Sequence, residues 1–429
     1  MSNNSLPTKT RQWTLTNPPT GKPTYGSADS TFTLETKDIP ALSSGQILVQ
    51  TLYLSNDPAQ RGWISPPSQI DPKRLYVPPV QAGEAMRARG LGKVLASQNS
   101  EFAEGDVVQG NLNWREYAVL DAGEPSQGVR KVQELPGGLS VTHYLGALGG
   151  TGLTAWYGLV EVVGCKKGER VVVSGAAGAT GSMVVQIAKH IVGASYVVGI
   201  AGSDEKCKWV ESLGADKCEW TFLFFRGFLS SFGVGEAFDG LHNYWLAGCH
   251  VEATRRHHDH NHNHLHADTT PCHARTTTSP APKTNTSAGL NYKSPTFTSD
   301  LARACDPGVD VYFDNVGGSI LDAMLTNLAQ NGRVAACGAI TGYNGEAALP
   351  MQNYFNVVSM RLQIRGFIVF DFLHKAAETV GKLVGALQEG KIKIGADNET
   401  VVDTKFEEVP GTWLRLFEGG NQGKLVTKL

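Results

Sequence analysis

The residues best placed to do chemistry form one glycine-rich stretch, Ala176-Ala177-Gly178-Ala179-Thr180-Gly181. An apolar run at 170–174 precedes it and a helical pattern at 182–190 follows. This is the dinucleotide-binding spacing G-x-G-x-x-G with Ala at its first position, in the strand-turn-helix context that the motif needs. Gly178 lets the backbone approach a pyrophosphate, and Gly181 lets helix lie close on strand. The free N–H groups and positive dipole end of the helix then face the phosphates. Ala177, Gly178, Ala179, Thr180 and Gly181 are therefore the candidate cofactor-binding residues here. The plainer reading is a tight turn with no ligand.

The end of the next strand bears on which dinucleotide. An NAD site usually carries Asp or Glu there to hold the ribose 2′-hydroxyl. The strand at 196–201 ends in Ile200-Ala201-Gly202-Ser203 without an acid, and Lys206 follows in the first helical turn. A cation without a competing carboxylate favours a 2′-phosphate, hence NADP(H). Asp204 and Glu205 lie close by, as acids of the helix's first turn or as ribose ligands.

Other chemistries are disfavoured. Seven Cys (165, 207, 218, 249, 272, 305, 337) are scattered without a C-x-x-C pair. That argues against a disulfide framework or four-thiolate zinc site and for a reducing compartment. Lys and Arg number 38 against 40 Asp and Glu, for a net charge of −2. No cationic excess marks a nucleic-acid binder. Apolar runs such as 196–201 fall far short of the ~20 residues that span a bilayer. Residues 1–13 are polar and show no secretory signal, and Thr427-Lys428-Leu429 is only a loose match to the peroxisomal S-K-L address. The expectation is a cytoplasmic protein with a small-molecule substrate, not a membrane or nucleic-acid partner.

These residues need a scaffold, and 429 residues allow two or three domains. Short β runs at 46–54, 105–108 and 116–120, with Pro66-Pro67 and Pro78-Pro79 marking loops, make 1–135 a β-rich domain. From about 140 the pattern alternates. Strands are expected at 170–174, 196–201, 309–313, 334–337 and 362–369, and helices at 182–190, 205–213 and 375–388. Such repeating β-α units imply a parallel sheet covered by helices. Residues 424–427 read as a closing strand returning to the first domain.

The residues resemble a family, the zinc-independent medium-chain dehydrogenase/reductases, in the prostaglandin reductase and plant alkenal double-bond reductase branch. The resemblance covers nearly the whole chain except 219–289. It rests on Leu54-Ser55-Asn56-Asp57-Pro58-Ala59-Gln60-Arg61-Gly62, Glu104-Gly105-Asp106-Val107-Val108, Gly152-Leu153-Thr154-Ala155-Trp156-Tyr157-Gly158-Leu159 and the glycine turn. It continues through Gly202-Ser203-Asp204-Glu205-Lys206, Phe313-Asp314-Asn315-Val316-Gly317-Gly318, Cys337-Gly338-Ala339-Ile340-Thr341-Gly342-Tyr343-Asn344 and Gly420-Asn421-Gln422-Gly423-Lys424. Where zinc-dependent relatives carry G-H-E, this chain has Gly83-Glu84-Ala85-Met86, so no catalytic zinc is expected.

The resemblance implies an α/β fold. A Rossmann doubly wound parallel sheet (136–393) joins a GroES-like β-rich domain (1–135, completed by 394–429), with the active site in the cleft between them. It implies that Lys206 and Tyr292 hold the 2′-phosphate end of the cofactor. Asn315, the loop Cys337, Gly338, Ala339, Ile340, Thr341, Gly342 and Tyr343, then Phe367, Ile368, Val369 and Asn421, would line the rest of the groove. It also implies a homodimer. Tyr343 is the candidate catalytic residue: its phenol can donate to an enone carbonyl, a bond that strengthens as enolate charge builds. It can instead simply pack against the nicotinamide. Many relatives carry Tyr where this chain has Ala59, and Arg61 has both a structural and a binding reading. The implied activity is NADPH-dependent reduction of the C=C bond of α,β-unsaturated ketones or aldehydes. Secondary-alcohol oxidation, quinone reduction and cofactor binding without turnover are the alternatives. Secondary metabolism is one setting for such chemistry.

Residues 219–289 break the rhythm with an aromatic patch (Phe222, Phe224, Phe225, Phe228), nine of the twelve His, and a Thr/Pro/Ser tail. The His tract at 257–266 could ligate Zn²⁺ or Ni²⁺, or be a solvated insertion. The favoured reading is a translated intron. Cys218-Glu219-Trp220 can be TGT-GAG-TGG, with a donor-like GTGAGT. Thr284-Asn285 can supply CTAAC, and Ala288-Gly289 an acceptor AG. Removing 71 residues from 429 leaves 358 and joins Cys218 to Leu290 in frame.

Overall fold

The computed structural model describes residues 5–27, 29–220, 296–345 and 350–429, with backbone alone for 218–220. Tyr292, the His tract and nearly all of 219–289 lie outside the described residues.

The chain begins with an antiparallel hairpin, β1 (Lys9–Leu15) and β2 (Phe32–Asp38). Next come β3 (Gln46–Ser55), the one-turn helix α1 (Gln60–Trp63), β4 (Gly90–Ser97), β5 (Val107–Gly110), β6 (Tyr117–Asp121) and β7 (Arg130–Lys131). Helix α2 (Gly150–Trp156) leads into β8 (Arg170–Ser174), α3 (Ala179–Gln186), β9 (Tyr196–Ala201), α4 (Asp204–Ser212) and β10 (Lys217–Trp220). After the undescribed stretch, α5 (Phe297–Cys305), β11 (Val309–Asp314), α6 (Gly318–Met324), β12 (Leu328–Ala336), α7 (Phe355–Ser359), β13 (Gln363–Gly366) and α8 (Ala376–Gln388) follow. The chain closes with β14 (Glu399–Asp403), α9 (Val409–Leu414) and β15 (Lys424–Lys428).

The second set of strands forms a parallel sheet in the order β10-β9-β8-β11-β12-β13. Its central strands are Val-rich because both faces are covered. The two-residue alternation sends Val171 and Val173 to one core with Val197, Val311 and Phe313. Val172 goes to the opposite core with Val198, Tyr312 and Val334. The order reverses between β8 and β11, where an open α/β sheet presents its ligand crevice beyond the carboxyl ends of the strands.

The other sheet runs β14-β15-β3-β4-β5-β7, with β6 also on β3. β15 completes it by lying antiparallel to β3, Val426 opposite Ser55. Its core holds Phe32, Trp114, Trp413 and Phe417, with ring centroids 4.9 Å apart for Phe32–Trp114, 5.7 Å for Trp114–Trp413 and 5.2 Å for Trp413–Phe417. Both sheets belong to one compact unit.

Some boundaries differ from the sequence expectation. The strand expected over 362–369 stops at Gly366, whose partner Ala336 is the last residue of β12. With no further backbone to pair with, the chain turns into a 3₁₀ helix at Val369–Lys375. The helix expected at 182–190 starts earlier, at Ala179, because the glycine turn itself supplies its cap at Gly178.

Candidate active site

The glycine turn leaves β8 through Gly175, at φ +58°. Gly178 caps α3 in extended conformation, without a side chain to bond the helix's first N–H groups. A Cβ at Gly181 would lie 2.2 Å from the carbonyl oxygen of Gly175, and one at Gly178 would lie 3.1 Å from it. Backbone thus fills the space where side chains would stand, and the uncapped N–H groups remain for an anion. Ala177 and Gly181 are buried, while Gly178, Ala179 and Thr180 are half-buried at the surface of the turn.

Opposite this turn β11 ends at Asp314, a carboxylate 1% exposed. Its Oδ1 accepts from Ser174 Oγ (3.0 Å), the Tyr312 hydroxyl (2.8 Å) and the N–H groups of Val316 (3.0 Å) and Gly317 (2.9 Å). Four donors replace the water that a buried carboxylate loses. Asp314 therefore fixes the loop after β11 against the end of β8. Asn315 does the same: its amide Nδ2 donates to the Ser174 carbonyl at 2.7 Å and its backbone N–H to Ser174 Oγ at 3.0 Å. Its side-chain N–H is thus engaged by β8.

The next loop stacks on this one. The N–H groups of Cys337 and Gly338 donate to the Asp314 carbonyl (2.9 and 3.1 Å), and Thr341 Oγ1 donates to the Val316 carbonyl at 2.9 Å. A Cβ on Gly318, at φ +59°, would come within 2.9 Å of Thr341 Oγ1. Ile340, Thr341 and Gly342 form a 3₁₀ turn that delivers Tyr343 to its end. Tyr343 is half-buried and packs against the core of the other sheet. Its hydroxyl oxygen accepts the Ala339 N–H at 3.3 Å. Burial raises the phenol's pKa and the Ala339 N–H partly offsets this, with smaller raising effects from Tyr76, Cys337 and Asp314. The result is a protonated phenol whose hydrogen is free to donate. Burial, then Asp314, pushes the Cys337 thiol up to about 12.

Phe367 sets its ring edge-on to Phe313, at 6.2 Å, and with Val369 packs on the core beneath α2. Ile368 is half-buried, and its carbonyl accepts the Asp371 N–H. The segment returning between α9 and β15 reaches the glycine turn directly. The Gly423 N–H donates to the Ala177 carbonyl at 2.8 Å, and Gly178 and Gly423 form a parallel bridge. Asn421 Nδ2 holds this bend by donating to the Gly423 carbonyl at 2.8 Å. Lys206, its pKa lowered by burial, donates from Nζ to the Gly419 carbonyl at 2.8 Å.

Several residues at this junction stand outside the expected set. Lys424, 3% exposed, donates from Nζ to Asp57 Oδ1 (2.5 Å) and to the Asn56 carbonyl (2.8 Å). Ser55 Oγ donates to the other Asp57 oxygen at 2.6 Å. Tyr76 accepts from Trp63 Nε1 at 3.2 Å and sets its ring against Phe370 at 5.8 Å. The signal for Asp314 and Lys424 was in motifs already quoted, as a carboxylate and an ammonium beside glycines. Tyr76 sits in a loop with no motif. Ala59 caps α1 without a side-chain bond. Arg61 is fully buried; desolvation pulls its pKa down to about 10.

Residues 11–128 match a sequence family described as the N-terminal domain of oxidoreductase, and residues 287–427 one described as zinc-binding dehydrogenase. A 2-alkenal reductase (NADP(+)-dependent) of Nicotiana tabacum is 31% identical, covering 89% of this chain and 87% of its own. A Saccharomyces cerevisiae protein described as an uncharacterized membrane protein is 32% identical over 98% of both chains. The crystal structure of CurA from Vibrio vulnificus in complex with NADPH superposes with a TM-score of 0.71 at 28% identity, covering 97% of this chain and 98% of that one. Fold and site together define a medium-chain dehydrogenase/reductase. The chain belongs to the zinc-independent members of that family, in the prostaglandin reductase and alkenal double-bond reductase branch. Among the described residues no group of three or more His, Cys, Asp or Glu is arranged to hold a metal, and Gly83-Glu84-Ala85-Met86 offers no imidazole. The zinc of the family description does not fit this donor set. No helix among the described residues is long and apolar enough to cross a membrane.

Proposed function

We propose that this protein reduces the C=C bond of α,β-unsaturated ketones or aldehydes with NADPH. The observation that carries the reading is the Tyr343 phenol, held protonated beside the glycine turn's crevice with its oxygen on a backbone N–H. The alkenal reductase relative and the NADPH-bound structural neighbour support the same chemistry and cofactor.

The uncapped start of α3, with Gly178 and Gly181, would hold the pyrophosphate; Lys206 with Tyr292 would hold the 2′-phosphate end. Asn315, the 337–343 loop, 367–369 and Asn421 would frame the nicotinamide half. When bound, NADPH supplies a hydride to the substrate's β-carbon. Tyr343 donates a hydrogen bond to the carbonyl oxygen, and that bond strengthens as enolate charge grows. Accepting the Ala339 N–H makes the phenol a better donor, while burial keeps its proton in place. The α-carbon then takes its proton from water or a nearby donor. Tyr76 and Phe370 offer an apolar wall for the rest of the substrate.

The working form is read as a cytoplasmic homodimer lacking residues 219–289. The dimer reading draws on β13, an edge strand whose residues are all exposed, beside exposed Tyr354, Phe355 and Val358. An open strand edge with apolar neighbours suits pairing with a second copy. The shortened form draws on the splice-like codons that flank residues 219–289.

NADPH consumption with a medium-chain enone, for the 358- and 429-residue forms together, tests both readings. The expected result is turnover by the short form, falling about 10²–10³-fold in Tyr343→Phe, and poor NADPH binding by the long form. Tight NADPH binding with no enone turnover by either form would move the assignment to alcohol oxidation, quinone reduction or an idle binder. Equal turnover by both would refute the intron.

A further inference from the structure

Arg61 is fully buried, and among the described residues no carboxylate pairs with it. Its NH2 donates to two carbonyls of one loop, Pro19 at 3.0 Å and Gly21 at 2.9 Å. NH1 donates to Ser65 Oγ at 2.8 Å, and Nε has no partner. A cation taken out of water without a counter-charge is a costly choice for mere space filling. What it does hold is the turn between Pro19 and Gly21.

That turn lies directly against the end of the Tyr343 loop. A Cβ on Gly345, at φ +81°, would stand 2.2 Å from the Thr20 carbonyl oxygen, so the two backbones touch. A Cβ on Gly21 would lie 3.9 Å from the Asn344 carbonyl oxygen. Gln69 Nε2 donates to the same Thr20 carbonyl at 2.6 Å and lies 3.3 Å from the Gly345 Cβ position. Asn344, next to Tyr343, is buried. A continuous set of contacts therefore runs from the guanidinium, through residues 19–21, to residues 344–345.

We propose that Arg61 is a positioning residue for Tyr343, acting through the carbonyls of Pro19 and Gly21; its catalytic consequence rests on the role given to Tyr343 above. The guanidinium suits the task because its fixed fork reaches the turn with one nitrogen and Ser65, just past the end of α1, with another, which a lysine's single ammonium does not reproduce. Holding the turn rigid holds Gly345 from one side, and the phenol then stays where its hydrogen bond is productive.

The test uses Arg61→Met, Arg61→Lys and Gly345→Ala in both chain lengths, each alone and with Tyr343→Phe. Hydrogen exchange reads the contact and steady-state kinetics read its consequence. In Arg61→Met, exchange should quicken at 17–21 and 340–345 and stay unchanged at 175–186. Enone kcat should fall by between about tenfold and a hundredfold, with NADPH affinity held within twofold and Arg61→Lys intermediate. In the Tyr343→Phe background the further loss should vanish. Gly345→Ala, which crowds Thr20 from the other side, should give the same pattern and serves if Arg61→Met does not fold. Unchanged exchange at 340–345 in Arg61→Met or Gly345→Ala, or an equal kcat loss with and without the Tyr343 hydroxyl, overturns the proposal. If Tyr343→Phe turns over enone like the parent, the reading of Tyr343 fails, and the exchange result still decides the contact.

Discussion

Two alanine substitutions three residues apart on one turn, at Gly178 and Gly181, should have opposite signatures. In an ordinary helix, Gly→Ala stabilises by about 1 kcal/mol. At Gly181 the new Cβ would lie 2.2 Å from the Gly175 oxygen and 2.8 Å from the Ala176 Cα, all backbone with no rotamer to give way. Reaching ordinary contact requires the turn to move by more than 1 Å, and overpacking of this kind costs about 1–3 kcal/mol beyond the helical gain. Gly181→Ala should therefore melt lower without cofactor, by roughly 1–4 °C for a chain of this size. Gly178, at φ −82°, already has a conformation alanine adopts, and its nearest neighbour would be at 3.1 Å. Gly178→Ala should melt within about 1 °C of the parent, yet bind NADPH at least about tenfold more weakly, ~1.4 kcal/mol, because its methyl faces the approaching pyrophosphate. Thermal melts without cofactor and fluorescence titration with NADPH separate the two effects. Parent-like melting of Gly181→Ala, or parent-like NADPH affinity of Gly178→Ala, would refute the assignment of these glycines.

The Tyr343 phenol donates only while protonated, so its contribution is complete below its pKa and lost as pH rises through it. Burial lifts that pKa above the ordinary tyrosine value. Enone kcat should consequently show no alkaline limb from Tyr343 up to about pH 9; a limb below that which disappears in Tyr343→Phe would contradict the account. For Cys337, a thiol moved from 9.0 to about 12 has a thiolate fraction at pH 8 roughly a thousandfold below that of an ordinary cysteine. Maleimide labelling followed by mass spectrometry of the Cys337 peptide should show that retardation. An exposed-cysteine rate would mean that the thiol is not desolvated, and would leave it open to conjugate addition by an electrophilic enone.

The parts of this fold that depend on short stretches of chain are readable from the sequence. Three consecutive valines at 171–173 announce a strand covered on both faces, and the glycine spacing at 178 and 181 announces the phosphate turn. The contacts that complete the site are different, because each depends on residues far apart in the chain. Lys424 meets Asp57, Asp314 meets Ser174, and Arg61 meets the turn at 19–21. A motif shows that an Asp or a Lys is present but not which partner the topology brings to it. Asn315 makes the point: a resemblance assigns it to the groove, while its amide N–H is engaged by the end of β8. The β1–β2 hairpin is hard to read from sequence for another reason. Its strands are largely polar, with Thr10, Gln12 and Thr14 buried alongside the apolar Trp13, Leu15 and Phe32.

The four residues from Asn421 to Lys424 explain why the chain must return to its first sheet after building the second. Gly423, at φ +62°, has no room for a side chain, since a Cβ would lie 1.9 Å from the Asn398 carbonyl oxygen. Its N–H reaches the glycine turn through Ala177, on the side of the parallel sheet. The very next side chain, Lys424, reaches Asp57 and Asn56, on the side of the β-rich sheet. β15 then pairs with β3, which ends at Ser55 and leads into that same Asp57 loop. One short, sterically closed bend is thus bonded at adjacent residues to a loop of each sheet. Two separately folded sheets joined only by a linker would leave the distance between those loops free to vary. Here adjacent residues of one bend are bonded to both loops, so their separation is constrained by local backbone geometry.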